Sequence, residues 1–255
     1  MATAKNIIIT GASSGLGAAL ALEYARPENV LGLIGRDMAR LEAIARYCRQ
    51  QGATVNVATI DVTDGLALAG WLNNFDRQHP IDLCIANAGV SAGTGGGGES
   101  VEQARHIFNV NVNGVINTIT PVAECMKLRG KGQLSLVSSI AGFRGSPTAP
   151  AYSASKAAVR YYAQALRGEF SPHGVDVSVI CPGFIKTPMT DVNPFPMPFI
   201  ISAEKAARII RRQLAKGKAK IIFPLPMALL ARLQNLLPDT LMNRIYLSVP
   251  AKPAE

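Results

Sequence analysis

Tyr152 and Lys156 stand four residues apart in Tyr152-Ser153-Ala154-Ser155-Lys156, a spacing that puts both side chains on one face of a helix. An ammonium beside a phenol favours the phenolate and brings its ordinary pKa of about ten toward neutrality. A phenol so tuned can exchange a proton with an alcohol or a ketone. Ser139 precedes the tyrosine at the end of a strand-like run and offers a hydroxyl that can donate to the same substrate oxygen. Singly, these residues also fit a surface Tyr–Lys pair and a loop serine. Their weight comes from a second constellation elsewhere in the chain.

That constellation is Thr10-Gly11-Ala12-Ser13-Ser14-Gly15-Leu16-Gly17, set between the strand-like Asn6–Thr10 and a helix-prone run, Ala18–Glu23. Strand, glycine turn and helix form a phosphate cradle, because a helix N-terminus presents unpaired amides and the positive end of its dipole. Gly11 permits the tight turn, Gly15 lets backbone approach a pyrophosphate, and Gly17 allows close packing of helix on strand. Ser13, Ser14 and Leu16 belong to the same cofactor-binding turn. No Lys-Ser or Lys-Thr follows the last glycine, which disfavours a P-loop. The second strand ends at Gly35-Arg36, where dinucleotide folds distinguish a ribose 2′-hydroxyl from a 2′-phosphate. A glycine in place of a carboxylate, followed by a guanidinium fork, favours NADP over NAD. Asp37, one residue on, blunts that preference.

The elements that must position these groups alternate along the chain. Asn6–Thr10, Val30–Ile34, Val55–Ile60, Asp82–Ala86, Gln133–Ser138, Asp176–Cys181 and Lys220–Phe223 read as strands, with helical patterns between them. The strands lack polar alternation, as expected of a parallel sheet covered on both faces. In Met38–Gln51, Met38, Leu41, Ala45 and Cys48 fall on one stripe, and Gly52 supplies a stop. The expected fold is therefore α/β: a Rossmann-like, doubly wound, seven-stranded parallel sheet flanked by helices, with residues 1–255 forming one domain.

Composition agrees with this reading and narrows the function. The 255 residues are 48% apolar and 17% charged, which excludes a disordered or fibrous chain. Twenty-six Lys and Arg against seventeen Asp and Glu give a formal charge of +9, favouring anionic partners in general. Cys48, Cys84, Cys125 and Cys181 are scattered in or beside apolar stretches and read as buried, reduced thiols. Separated from them and from one another, His79, His106 and His173 complete no metal cluster. The N-terminus runs straight into a strand-like segment instead of a signal peptide, so a cytoplasmic location is expected.

Taken together, Thr10 to Gly17, Asn87-Ala88-Gly89, Asn111, Ser139, Tyr152, Lys156 and Pro182-Gly183 resemble the short-chain dehydrogenase/reductase family over about residues 5 to 190. The resemblance implies hydride transfer between a nicotinamide and a carbonyl or hydroxyl carbon, with Asn111, Ser139, Tyr152 and Lys156 as the catalytic set. By the same similarity, Asp61 and Val62 contact adenine, and Asn87, Ala88 and Gly89 support the cofactor and the sheet. Lys156, beside Tyr152, holds the ribose, and Asn111 anchors a proton-relay water. Pro182, Gly183, Ile185 and Thr187 bind the carboxamide end. Substrates are then a small-molecule carbonyl or alcohol. A related-fold sugar epimerase ranks below this reading, since only a short stretch follows the cofactor segment. A non-catalytic NADP sensor or membrane-associated scaffold is the alternative function.

Three segments break the regular pattern. Residues 93–98 hold five glycines and read as a mobile loop, and Phe184–Ile201 carries four prolines and reads as a small substrate lobe. From Pro224, Met227, Leu229, Leu230, Leu233, Leu236 and Leu237 read as an apolar helix of about thirteen residues, shorter than a bilayer span. Ahead of it, Ala203, Ala206, Ala207, Ile210 and Leu214 form one stripe of a strongly basic helix. This tail, 224–255, departs from the family's usual tetramer-completing end, so homodimer and homotetramer both stay open. Peripheral contact with the inner face of a membrane competes with a solvated helix and a packing helix. Nucleic acid is disfavoured, since few aromatics accompany the basic residues. Phe143, Phe184, Met189, Phe195, Met197 and Phe199 suggest either an apolar substrate or packing within the lobe.

Overall fold

Three consecutive isoleucines of the first strand, β1 (Asn6–Thr10), are fully buried: Ile7 and Ile9 enter one apolar layer and Ile8 the other. Successive strand side chains point to opposite faces, so a strand without polar residues requires cover on both sides. The computed structural model, which describes residues 5–233, 236–247 and 253–254, supplies that cover. After β1 come α1 (Gly15–Tyr24), β2 (Val30–Gly35), α2 (Met38–Gln50), β3 (Thr54–Thr59), α3 (Gly65–Gln78) and β4 (Leu83–Ala86). Next are α4 (Val101–Phe108), a π-helical turn (Asn109–Asn113), α5 (Gly114–Arg129), β5 (Gly132–Val137), a 3₁₀ turn (Ile140–Phe143), α6 (Pro150–Phe170) and β6 (Val175–Pro182). The chain continues through β7 (Ile185–Lys186), α7 (Pro188–Asp191), β8 (Ile201–Ser202), α8 (Ala203–Leu214), β9 (Lys220–Phe223), α9 (Leu225–Leu233) and α10 (Asp239–Leu247).

Seven of the strands form one parallel sheet in the order β3-β2-β1-β4-β5-β6-β9. Helices α1, α2 and α8 contribute Leu20, Leu41 and Ile210 to one core layer, and α3, α5 and α6 contribute Leu72, Ile119 and Val159 to the other. The strand order reverses between β1 and β4, and the crevice beyond their carboxyl ends is where open α/β sheets bind ligands. Thr10 ties that point together, its hydroxyl accepting the backbone N–H groups of Asn87 at 3.0 Å and Ala88 at 3.1 Å.

Each of the seven strands read from sequence is present, with ends displaced by one residue or none. The α8 stripe is buried throughout. Three expectations need correction. Met38 opens α2 but is half exposed; the inward stripe starts at Leu41 and runs through Ala45 and Cys48. The C-terminal apolar helix ends at Leu233, and Leu236 and Leu237 lie in a turn ahead of Pro238 and α10. Finally, Cys125 is only half buried, its Sγ 3.9 Å from Asn73 Oδ1 of α3, while Cys48, Cys84 and Cys181 are buried; all four thiols are free. The proline-rich lobe is not a long helix: it holds the short α7 and the two-residue ladder of β7 with β8. The glycine loop is bonded, Gly93 N–H donating to Pro253 C=O at 2.9 Å and Thr94 N–H to Thr148 C=O at 3.0 Å.

Candidate active site

A cleft of about 320 Å³ opens at the β1/β4 crevice. Its floor is the glycine turn. Gly11 has φ +67°, a conformation that L side chains rarely adopt. A Cβ on Gly17 would lie 2.1 Å from Gly11 C=O and 2.7 Å from Asn87 Nδ2, so only glycine lets α1 seat against the turn. The cradle therefore fits a phosphate-bearing dinucleotide: its backbone comes close, its α1 N-terminus is open, and Asn87 braces it by donating to Thr10 C=O at 2.9 Å.

The cleft brings together Gly11, Ser13, Ser14, Gly15, Leu16, Gly17, Arg36, Asp61, Val62, Asn87, Ala88 and Gly89 with Ser139, Tyr152, Lys156, Pro182, Gly183, Ile185 and Thr187. Of the sequence-predicted set, Asn111 stands apart. It is fully buried behind the wall, Oδ1 accepting from Val90 N–H at 2.8 Å and Nδ2 donating to Val90 C=O at 3.0 Å and Ser155 Oγ at 3.0 Å. Ser155 in turn donates to Tyr152 C=O at 2.8 Å. The asparagine side chain thus clamps the cleft wall to the tyrosine helix.

Helix α6 presents Tyr152 and Lys156 from its first turns. Ala151 N–H donates to Glu99 Oε2 at 2.9 Å, capping the helix start, and Ser138 Oγ donates to Lys156 C=O at 2.6 Å. Ser139 leads the 3₁₀ turn, its Oγ accepting from Ala141 N–H at 3.1 Å and its side chain hydrogen-bonded to the Tyr152 phenol. Lys156 Nζ donates to Val137 C=O at 3.1 Å and lies 5.9 Å from the Tyr152 ring centroid.

Burial governs the charges. It pulls the Lys156 ammonium down to about 8, with the neighbouring Cys181 opposing. It also pushes the Tyr152 phenol above its ordinary value, the Ser139 hydrogen bond only partly opposing. The expectation that Lys156 brings the phenol toward neutrality is therefore corrected for this arrangement: desolvation outweighs an ammonium nearly 6 Å from the ring. Tyr152 is held as the neutral phenol, the form that donates a proton.

At the β2 end, Arg36 is largely exposed and stands 3.9 Å from Asp61. Asp37 does not face the cleft as a free carboxylate. It caps α2 by accepting Arg40 N–H at 3.0 Å and pairs with Arg40 Nε at 2.6 Å, which holds its carboxyl below the usual range. Burial raises the Asp61 carboxyl, but the Thr63 backbone and hydroxyl and the Arg36 charge more than offset this, so it too is lowered. Sequence reasoning missed Arg40, Val90 and Thr190, all of which line the cleft, whereas Met189, named as a candidate substrate contact, lines it as expected. Arg40 had a signal, lying four residues from Arg36 and three from a helix-capping aspartate. Val90 and Thr190 had none beyond proximity to motifs.

Comparison with known proteins agrees with this geometry. Residues 5–194 match the short chain dehydrogenase family. A Myxococcus xanthus (strain DK1622) protein described as an uncharacterized oxidoreductase is 36% identical over 240 residues, covering 94% of this chain and 95% of the relative. A short-chain dehydrogenase from Sphingobium yanoikuyae in complex with NADPH superposes with a TM-score of 0.79 at 27% identity, covering 92% and 96% of the two chains. One from Mycobacterium paratuberculosis bound to NAD gives 0.77 at 24% identity, covering 86% and 95%. A parallel Rossmann-like sheet with a glycine cradle and a half-buried tyrosine beside a buried lysine defines a nicotinamide-dependent oxidoreductase. This chain belongs to the short-chain dehydrogenase/reductase family and is an NAD(P)-dependent oxidoreductase.

Proposed function

We propose that the protein is an NADP(H)-dependent oxidoreductase that interconverts a secondary alcohol and a ketone on a largely apolar small molecule. The observation that carries the reading is the Ser139–Tyr152–Lys156 cluster at the inner end of the glycine cleft. The nicotinamide, when bound, supplies or accepts the hydride. Ser139 holds the reacting oxygen, and the neutral phenol of Tyr152 gives it a proton in the reducing direction. Lys156, held by Val137 and anchored through its own carbonyl to Ser138, replenishes that proton and orients the ribose. Asn111 keeps Val90 and the tyrosine helix in place; its π turn is a backbone irregularity of the kind found at functional sites, suited to holding a relay water.

NADP is supported by three features at the β2 end. Gly35 leaves room beside Ser13, Arg36 offers an exposed guanidinium, and Arg40 neutralises Asp37. The NADPH carried by the Sphingobium structure points the same way. For the substrate, the aromatic candidates divide. Phe143 packs under the Arg160 guanidinium, and Phe184 meets Phe195 at 6.2 Å, so these rings serve packing. Met189, Pro188 and Val90 remain as apolar lining of the same cleft as Tyr152. The buried free thiols suit a reducing, cytoplasmic setting.

The test is NADPH oxidation against a panel of apolar ketones, read beside the Tyr152→Phe variant. Turnover is expected to fall by about 10²–10⁴-fold with NADPH affinity preserved. A variant as active as the parent would reject the assignment.

A further inference from the structure

The segment that carries Ser139 meets helix α6 at every fourth residue of one face. Ser138 Oγ donates to Lys156 C=O at 2.6 Å, the Ser139 side chain is hydrogen-bonded to the Tyr152 phenol, and Arg160 Nε donates to Gly142 C=O at 3.1 Å. Tyr152, Lys156 and Arg160 stack along the helix, as residues four apart do. The first two line the cofactor cleft; Arg160 does not. It lines a separate cavity of about 70 Å³ together with Phe143, Gln164, Cys181 and Lys220.

No carboxylate lines that cavity, and its second charged group, Lys220, is another cation. The guanidinium is held instead by rings and by the turn: its Cζ lies 4.5 Å from the centroid of Phe143 and 4.5 Å from that of Tyr161. One side chain thus grips two adjacent residues at the far end of the Ile140–Phe143 turn, the Gly142 carbonyl through Nε and the Phe143 ring through the guanidinium plane. On its inner side the turn has no slack. A Cβ on Gly142 would meet the Lys156 carbonyl carbon at 2.6 Å and Ala157 N at 2.8 Å, so the turn already rests on the α6 backbone, while α9 packs against it as well. Within the turn, Ala141 N–H bonds to Ser139 Oγ at 3.1 Å and Gly142 N–H to Ser139 C=O at 3.1 Å. Movement at Gly142 is therefore passed directly to the serine.

We propose that Arg160 is a positioning residue for the reaction, clasping the 139–143 turn onto α6 and so fixing the Ser139 hydroxyl against the Tyr152 phenol. The inference rests on the roles given above to Ser139 and Tyr152. A misplacement of about 1 Å at such a donor costs up to about 10²-fold in rate. Lysine cannot replace the clasp in full, since it brings a donor and a charge but no plane to lie on the Phe143 ring.

Hydrogen exchange of the full chain, read by mass spectrometry, tests the clasp. In Arg160→Met the amides of residues 139–143 are expected to exchange about tenfold faster while β1 and β4 keep their rates. Arg167→Met is the control: this arginine of the same helix donates to Val177 C=O at 2.7 Å, and its loss is expected to leave the turn unchanged. In NADPH oxidation with the panel of apolar ketones, Arg160→Met is expected to lower kcat about 10–100-fold with the NADPH dissociation constant within about twofold, and to add less than about twofold when Ser139 is already alanine. Arg160→Lys is expected to fall between parent and Arg160→Met in both readouts, and carries the test should the methionine variant not fold. Turn exchange equal to the parent's overturns the proposal, as does faster exchange throughout the sheet or a kcat loss of the same size with and without Ser139. Full turnover by Tyr152→Phe would reject the catalytic roles on which the proposal rests, while the clasp itself stands or falls on the exchange result.

Discussion

Replacing Lys156 by Met separates what this residue costs the fold from what it does for the chemistry. The side chain is 5% exposed, and burial takes its ammonium from 10.5 to about 8. At pH 7 the folded chain therefore carries a charged group whose burial costs about 3 kcal/mol. Because folded Lys156 releases its proton first, the unfolded chain binds more protons between pH 8 and 10.5, and stability rises with pH through that window. Raising the pH from 7 to 9.5 recovers about 2 kcal/mol of that cost. The buried thiols act in the opposite sense above pH 9, since Cys48, Cys84 and Cys181 are pushed up to about 11, 12 and 11 and hold protons that the unfolded chain loses. That contribution is common to parent and variant and largely cancels in their difference. Methionine keeps the apolar stem but leaves Val137 C=O without its donor, a pH-independent loss of about 1–3 kcal/mol. The readout is accordingly the pH slope. Urea unfolding at pH 7 and 9.5, followed by the fluorescence of the single tryptophan, Trp71, should show the parent gaining about 2 kcal/mol relative to Lys156→Met. Equal pH dependence in the two proteins would refute the claim that Lys156 is charged and desolvated in the fold.

Three further outcomes follow from the same geometry. Arg36→Ala should raise the NADPH dissociation constant about tenfold, the lower end for a charge-assisted bond given its exposure, and leave NADH within about twofold; nicotinamide fluorescence titration measures both. Gly142→Ala places a Cβ 2.6 Å from the Lys156 carbonyl carbon, so stability should fall by about 1–3 kcal/mol and kcat/KM with it, as read by urea melts and steady-state rates. Asn111→Leu strips partners from Val90 N–H, Val90 C=O and Ser155 Oγ; a loss of about 3 kcal/mol should lower Tm by roughly 6–12 °C in calorimetry.

Most of the sheet was legible because a doubly covered strand is a short apolar run whatever its neighbours do, and Ile7-Ile8-Ile9 shows why: both faces meet oil. The glycine turn was legible because backbone geometry at Gly11 and Gly17 restricts the residue type. Other features depended on tertiary neighbours. That Asp37 caps α2 follows from where the helix begins, and the clamp of Asn111 on Val90 joins elements distant in sequence. The elevated Tyr152 phenol is a balance of burial against one charge, which spacing alone cannot weigh. The break after α9 had a visible cue in Pro238, which a count of leucines overrode.

The bond between Asp37 and Arg40 bears on how this chain could be taught a different cofactor. An acid introduced at position 36 would supply the acceptor that a bare ribose asks for, yet Arg40 would stay at the rim with its positive charge, still welcoming a phosphate. Freeing Asp37 by removing Arg40 would in turn leave the start of α2 without one of its side-chain ties to that aspartate. On the proposed NADP(H) reading, a turn to the plain dinucleotide is thus a joint rewriting of a turn and a helix start.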